Sequence, residues 1–471
     1  MALIGLGTLS RVPAASRPLT LPGAASTGIV HVGIGAFHRA HQAVYTEEAV
    51  AAAGGDWGIA AVAPHSADVV TALRAQDRLF SVTSLGRSTR VIGAFSEVLH
   101  AAADADVVIS KIADPRVRVV TLCMTEKGYF TDPATGKLLP GASAGIPGLL
   151  LRGLDARRRA DAGPLAVVSC DNLPSNGRRT RSLFQQLCPS GPLADWIAAG
   201  VTFPGTMVDR IVPAGTAATL AAAAAALGVE DRAAVAAEPF KQWVIEDDFP
   251  GGRPAWEAAG AVLTGDAGPW ERLKLRTLNG VHSGIAYLGA LAGRRTVLSA
   301  LELPGMREVM GRFIADDVAG SLTPPPGVTV VGYGDSVLER FADPAIEHRT
   351  VQIAKDGSQK LPQRVLHTIA DRRAAGASPR WAALVVAAWM RYVQGVADDG
   401  SALPLDDPLG PAIRAALAGA STPAEVRDAL FGLSAVFPPE LAGDAVVREL
   451  CGEWLEALTR HGAAAVLAGV R

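Results

Sequence analysis

In the first half of the chain, short apolar runs alternate with amphipathic, helix-like stretches. Ile29 to Val32 (IVHV) runs directly into GIGAFHRAHQAVYTEEAV. This pattern predicts a strand, a tight turn at Gly33 and Gly35, and a helix from about His38 to Ala53. Further strands are predicted at Trp57 to Val62, Leu79 to Thr83, Arg90 to Ala94, Val117 to Met124 and Leu165 to Cys170. The apolar runs within Phe203 to Pro213 and Glu238 to Phe249 add more. Residues 1 to 27, with Pro13, Pro18 and Pro22, read as an irregular lead-in. Beyond Gly268 the strand pattern stops and helical periodicity takes over, broken at Ser321 to Gly327, Asp356 to Gln363 and around Gly400. The prediction is an α/β domain over 1-268 and a mainly α-helical domain over 269-471.

The stretch Glu271 to Ala290 (ERLKLRTLNGVHSGIAYLGA) stands at the head of the second domain. At 100° per residue, with Lys274 at zero, His282 falls at about 80° and Asn279 at about 140°, so the three polar groups share one side of a helix. Leu275, Leu278, Val281 and Ile285 lie around them. A helix that is apolar nearly all round is a buried one, and a buried lysine must be paired or have its pKa depressed toward neutrality. The bland alternative is an amphipathic helix whose Lys274 reaches solvent and whose His282 is a satisfied core histidine.

Composition narrows the function classes. With 44 basic and 46 acidic residues the net charge is −2. No block of like charge offers a footprint for nucleic acid or an anionic membrane, so a small neutral or anionic substrate fits better. The four widely spaced cysteines suit a reducing cytoplasm. The apolar run from Trp381 to Met390 is too short to span a bilayer. There is no HExxH pattern or cysteine-histidine cluster to hold zinc.

Strand, glycine turn and helix form the geometry in which backbone N–H groups face a pyrophosphate, although His38 replaces the third glycine of the dinucleotide fingerprint. Asp68, shortly after the second strand, is placed either to accept from an adenosine ribose hydroxyl or to serve as a helix N-terminal carboxylate. The segments Thr125 to Tyr129 (TEKGY) and Asp171 to Gly177 (DNLPSNG) follow predicted strands, where ligands of open α/β sheets lie. Within the latter, Asn172 reads equally as a donor to a developing alkoxide or as the head of an Asx-turn. Asp209 and Arg210, adjacent on an apolar run, read as a structural ion pair or as site groups.

Together, GIGAFHRAHQAVYT, TEKGY, SCDNLPSNG, FPGTMVDRIVP, WVIEDDF and KLRTLNGVHS resemble the segments of the polyol-specific long-chain dehydrogenases, the mannitol dehydrogenase family. The resemblance runs from about Ile29 to about Gly395, and its most diagnostic part is the spacing of Lys274, Asn279 and His282. It implies an N-terminal Rossmann-type domain with an expanded sheet, a mainly helical C-terminal domain, an active site between them and metal-independent hydride transfer with NAD. It implies Gly33, Gly35, Phe37, His38, Arg39 and Asp68 as cofactor residues. Lys274 would be the general acid/base, Asn172 and Asn279 would hold the oxyanion, and His282 would position the reacting oxygen. Glu271 would relay protons, and Asp209 would contact substrate hydroxyls. A monomer or weak dimer in the cytoplasm is the family expectation.

Within the family, RFADPAIEHRTVQIAKDGSQKLPQR and WMRYVQG are closer to fructuronate reductases, whereas DNLPSNG is closer to mannitol 2-dehydrogenases. The candidate substrates are therefore a hexuronate, a ketose or a polyol. Lys360 and Arg364 flank the end of the DGSQKLPQ segment, read here as a loop, where they would meet a hexuronate carboxylate or simply solvate a basic surface. A non-catalytic sensor of nucleotide or sugar has no need of a buried proton acceptor such as Lys274.

Overall fold

Among the described residues, twelve short strands punctuate the first part of the chain: β1 (Thr27–Val32), β2 (Gly58–Ala63), β3 (Phe80–Ser84), β4 (Thr89–Ile92), β5 (Phe95–His100), β6 (Val119–Leu122), β7 (Leu165–Ser169), β8 (Val201–Thr202), β9 (Thr206–Asp209), β10 (Val235–Ala237), β11 (Gln242–Glu246) and β12 (Val262–Thr264). The computed structural model describes residues 1–132, 135–346 and 348–470, so Glu347 of the RFADPAIEHRT segment lies outside the described residues. The chain divides into two units, Met1–Gly268 and Pro269–Arg471.

In the first unit six strands form one sheet in the order β5-β2-β1-β6-β7-β8, with every neighbour parallel. This is the doubly wound Rossmann order with a hairpin, β3–β4, inserted before the third strand of the sheet. The sheet is buried on both faces, which explains why its strands read as continuous apolar runs. Ile29 packs into the core on one face, and Val30 and Val32 into the core on the other. The remaining strands form two three-stranded sheets, β10-β3-β4 and β12-β11-β9.

Several expectations need correction. The run around Arg90 to Ala94 is not one strand: it breaks at Gly93 into β4 and β5, which belong to different sheets. A Cβ at Gly93 would lie 2.1 Å from the Thr20 carbonyl oxygen, so glycine is required where the lead-in crosses. That lead-in is not irregular throughout. Leu6–Arg11 and Ala14–Ser16 are 3₁₀ turns, Ile4 and Val12 are buried, and the Ile4 N–H donates to Glu230 at 2.8 Å. The first helix is interrupted at His41 (φ −128°, ψ −86°), giving Ala36–Ala40 and Gln42–Ala53. The interruption turns the His41 ring so that Nε2 bonds the Gln242 carbonyl at 2.9 Å, while Gln42 donates to its Nδ1 at 3.0 Å. TEKGY contains a short helix, Thr125–Gly128.

Arg157 ties together the segments that precede β6 and β7. It is 1% exposed at the end of helix Ile146–Arg159. Its guanidinium donates to the carbonyls of Ile112, Asp114, Val117, Ala162, Gly163 and Pro164 at 2.7 to 3.1 Å. These carbonyls belong to the end of helix Ala105–Ala113 and to the turns that feed β6 and β7. Burial lowers the Arg157 pKa to about 10, yet the charge is retained because six oriented carbonyl dipoles replace water.

The second unit is helical, and among its described residues the only β pairings are isolated bridges. Helix Arg380–Tyr392 packs between Gly280–Leu291 and Ala445–His461. No helix is long and apolar enough to cross a membrane among the described residues. The DGSQKLPQ segment is not a loop. It forms helix Gly357–Leu361 followed by a π turn, Pro362–Leu366. Proline has no N–H to continue regular i→i−4 bonding, and a widened turn is one way to accommodate it.

Replacing Arg157 with methionine should lower stability by roughly 3 to 5 kcal/mol, because six carbonyls, three of them in fully buried hydrogen bonds, lose their donor together. Urea unfolding followed by tryptophan fluorescence measures this. An unchanged midpoint would show that water fills the position at no cost.

Candidate active site

The candidate residues fall into two sets, one in each unit. In the first unit they follow the carboxyl ends of the parallel strands, except Asp209, which ends β9 of a separate sheet. The chain leaves β1 through Gly33, whose φ is +114° and where a Cβ would lie 2.0 Å from the Cys123 carbonyl oxygen at the end of β6. Only glycine allows the two strand ends to approach so closely at the point where strand order reverses. At Gly35, by contrast, a Cβ meets nothing within 4 Å. Open space beside a backbone turn, next to first-turn N–H groups that have no intrahelical acceptor, fits a dinucleotide pyrophosphate.

His38 and Arg39 face inward. His38 is 1% exposed and stacks on His31 with ring centroids 3.3 Å apart, and on Phe95 at 5.7 Å. Burial, reinforced by the neighbouring histidines and Arg39, pushes its pKa well below 6.5, so the imidazole is neutral. Arg39 donates to the Ala233 carbonyl, beside Asp231. Phe37 stacks on His41 at 4.9 Å. Asp68 is exposed in the first turn of helix Ala67–Ala75, beyond the end of β2 at Ala63.

At the ends of β6 and β7 the structure adds residues that sequence reasoning did not single out. Asp171 accepts hydrogen bonds from the N–H groups of Met124 (3.0 Å) and Thr125 (2.9 Å) and from the Tyr129 hydroxyl (2.8 Å). Asn172, next in the chain, is exposed at this rim. Asn176 donates to the Asp171 carbonyl at 3.1 Å and to the Thr206 carbonyl at 3.0 Å, tying DNLPSNG to β9. Asp209, the last residue of β9, is buried. Arg210 donates to the carbonyls of Glu238 and Ala40.

In the second unit, Glu271, Lys274, Asn279 and His282 lie on one helical column that is not regular. Helix Gly268–Lys274 passes into a π turn, Leu275–Asn279, before helix Gly280–Leu291. A π turn advances roughly 80° per residue, so Asn279 sits about 40° from Lys274 rather than about 140°, and His282 returns to about −20°. The three groups thus share a narrower stripe than regular helix geometry predicts. Lys274 is 6% exposed and Asn279 8%. Glu271, one turn ahead, is partly exposed.

The Asn279 Oδ1 and His282 Nε2 atoms are buried without a hydrogen-bond partner. Such atoms cost free energy unless a ligand or water completes them. The His282 ring stacks on Phe341 at 4.6 Å and lies 5.2 Å from His348. Its pKa is driven well below 6.5, first by burial and then by His348, Arg364, Lys360 and Arg340. Arg364 donates to the Ser283 hydroxyl at 3.0 Å, while Lys360 donates to the Lys355 carbonyl at 2.7 Å and lies 3.5 Å from Asp356. Arg340 and His348 were missed by sequence reading. Their only signal was basic character in a segment valued for its resemblance.

The family model described as the mannitol dehydrogenase Rossmann domain matches residues 27–258, and that of the mannitol dehydrogenase C-terminal domain matches residues 266–458. The chain is 44% identical to "Uncharacterized oxidoreductase YeiQ" of Escherichia coli (strain K12), over 88% of each sequence. It is 40% identical to the D-mannonate oxidoreductase of the same organism, over 88% of this chain and 90% of that one. A mannitol 2-dehydrogenase of Pseudomonas fluorescens, solved as a ternary complex with NAD and D-mannitol, superposes with a TM-score of 0.86 at 34% identity over 99% of both chains. The chain belongs to the mannitol dehydrogenase family.

Proposed function

We propose that this protein is an NAD-dependent oxidoreductase that interconverts D-mannonate and D-fructuronate, with Lys274 as general acid/base. The observation that carries the hexuronate reading is the concentration of three cationic groups, Arg340, Lys360 and Arg364, around His282; His348, held neutral by burial, lies beside them. A hexuronate carboxylate uses such cations, whereas a neutral polyol meets its needs with hydroxyl partners. The similarity to a D-mannonate oxidoreductase supports the same reading.

NAD supplies the hydride acceptor. Gly33, Gly35 and Phe37 belong to the turn that would hold its pyrophosphate, and Asp68 is assigned to the adenosine ribose. Lys274 takes the hydroxyl proton as the C–H bond breaks, and returns it when the ketone is reduced. Asn172 and Asn279 donate to the alkoxide oxygen. His282, held neutral, meets the reacting oxygen through Nε2, and Asp209 binds a neighbouring hydroxyl. Glu271 passes the proton between Lys274 and solvent. In the carboxylate subsite Arg364 and Lys360 supply the charge.

One observation favours mannitol and fructose instead: the Lys360 ammonium already has the Lys355 carbonyl and Asp356 as partners. Under that reading Lys360 donates to a distal hydroxyl.

Lys274→Ala should lower kcat by roughly 10²- to 10⁴-fold with NAD affinity unchanged, measured by single-turnover kinetics and dinucleotide titration. A kcat near wild type would remove the lysine mechanism. The Asp68 carboxylate would repel a 2′-phosphate, so NAD should be preferred to NADP and Asp68→Ala should narrow the kcat/KM ratio between them. An unchanged ratio would assign the discrimination to another residue. Lys360→Met should raise KM for the uronate by about 10- to 150-fold, the equivalent of one charge-assisted hydrogen bond of about 1.5 to 3 kcal/mol, and leave a neutral ketose scarcely affected. Equal losses on both substrates, or a ketose turned over at least as well as the uronate by wild-type protein, would select the mannitol reading.

A further inference from the structure

The buried carboxylate at the rim of the parallel sheet has no part in the chemistry proposed above, and nothing about a Rossmann sheet requires it. Asp171 is 9% exposed, and burial pushes its carboxyl above the ordinary range against the pull of three donors. Its Oδ1 accepts from Thr125 N–H, and its Oδ2 from Met124 N–H and the Tyr129 hydroxyl. The Tyr129 oxygen also lies 2.5 Å from Ser169 Oγ, inside β7. The carboxylate thus fastens the end of β6 to the end of β7. The main chain of the same residue is held separately, its carbonyl accepting from Asn176 Nδ2 at 3.1 Å and from Leu173 N–H at 2.8 Å.

A second observation sits across this bond. Thr125 has φ +62°, a left-handed conformation that is costly for a β-branched residue and persists only where its surroundings impose it. In that conformation the Thr125 N–H donates to Asp171 Oδ1 at 2.9 Å. With Asp171 held at both its side chain and its carbonyl, the backbone that carries Asn172 has little freedom left. An uncharged residue could join two strand ends at lower desolvation cost, but only a carboxylate accepts from all three donors at once.

We infer that Asp171 is a positioning residue: its carboxylate, through Thr125, Met124 and Tyr129, sets the direction in which Asn172 presents its amide to the reacting oxygen. The inference rests on the oxyanion role assigned to Asn172. An asparagine at 171 matches the volume, but its NH₂ would face an N–H or O–H donor, so one of the two backbone contacts to the end of β6 would be lost.

Asp171→Asn, Asn172→Ala and the double variant form a cycle, read as kcat and as KM for both substrates in the full-length protein. Asn172→Ala alone should lower kcat by roughly 10²-fold. Asp171→Asn should lower kcat by about tenfold or more, with KM for NAD within about threefold, because a small misplacement acts on the transition state. In the double variant the loss should stay close to that of Asn172→Ala alone, since there is no amide left to aim. Tyr129→Phe, which keeps the carboxylate, guards against a folding failure of Asp171→Asn. It should show a smaller kcat loss that likewise disappears when Asn172 is alanine. Losses that multiply in the double variants would overturn the positioning role while leaving Asn172 in place. An Asn172→Ala variant with normal kcat would overturn the oxyanion reading, and the inference with it.

Discussion

A buried helix that carries polar groups is the constraint on which the second unit depends. Lys274, Asn279 and His282 lie among Leu273, Leu278, Val281 and Ile285, all of them buried. Polar groups so placed must be gathered where they can be satisfied together, or each costs its own desolvation. The π turn at Leu275–Asn279 does the gathering, because it slows the angular advance of the chain and draws the three groups into one stripe. Around it pack two further π turns, Phe313–Val318 and Pro362–Leu366. Gly280 makes the contact possible: a Cβ there would lie 3.0 Å from the Arg364 carbonyl oxygen and 3.1 Å from the Phe313 ring.

The first unit answers a different constraint. A parallel sheet buried on both faces can present chemistry only at its ends, and the order β5-β2-β1-β6-β7-β8 brings the ends of β1, β6 and β7 side by side. Gly33 against Cys123 joins the first two, and Asp171 joins the second two. At the opposite ends of β6 and β7, Arg157 ties the incoming turns together. A cation and a carboxylate, both buried, hold the two extremities of the same pair of strands.

Neutral histidines recur in both units. The histidines His31, His38 and His41 in the first unit are neutral, chiefly through burial: His31 hydrogen-bonds the Gly33 carbonyl, His38 stacks on His31, and His41 hydrogen-bonds the Gln242 carbonyl. His282 in the second unit is neutral for the same reasons, burial first and nearby basic groups after it, as for His38 and His41. A neutral imidazole can accept as well as donate, which a substrate hydroxyl requires and an imidazolium cannot offer.

Much of this organisation was legible in the chain alone, because it follows from local rules. Continuous apolar runs mark strands buried on both faces, Gly33 marks the turn, and the loss of strand pattern after Gly268 marks the passage to helices. The spacing of Lys274, Asn279 and His282 places them on one side of any helix. What could not be read were features set by contacts between distant segments. The break between β4 and β5 is caused by Thr20, some seventy residues away in the chain. The π turns depend on helices packed from elsewhere, so a fixed 100° step misplaced Asn279, and Pro362 read as a loop signal although it lies in a helical column. Asp171 was silent because a carboxylate shows its partners only once β6 and β7 lie side by side, and Arg340 and His348 for the same reason did not stand out from ordinary surface charge. Periodicity and turn chemistry are properties of neighbours in sequence. Satisfaction of buried polar groups is a property of neighbours in space, and only the folded chain supplies those.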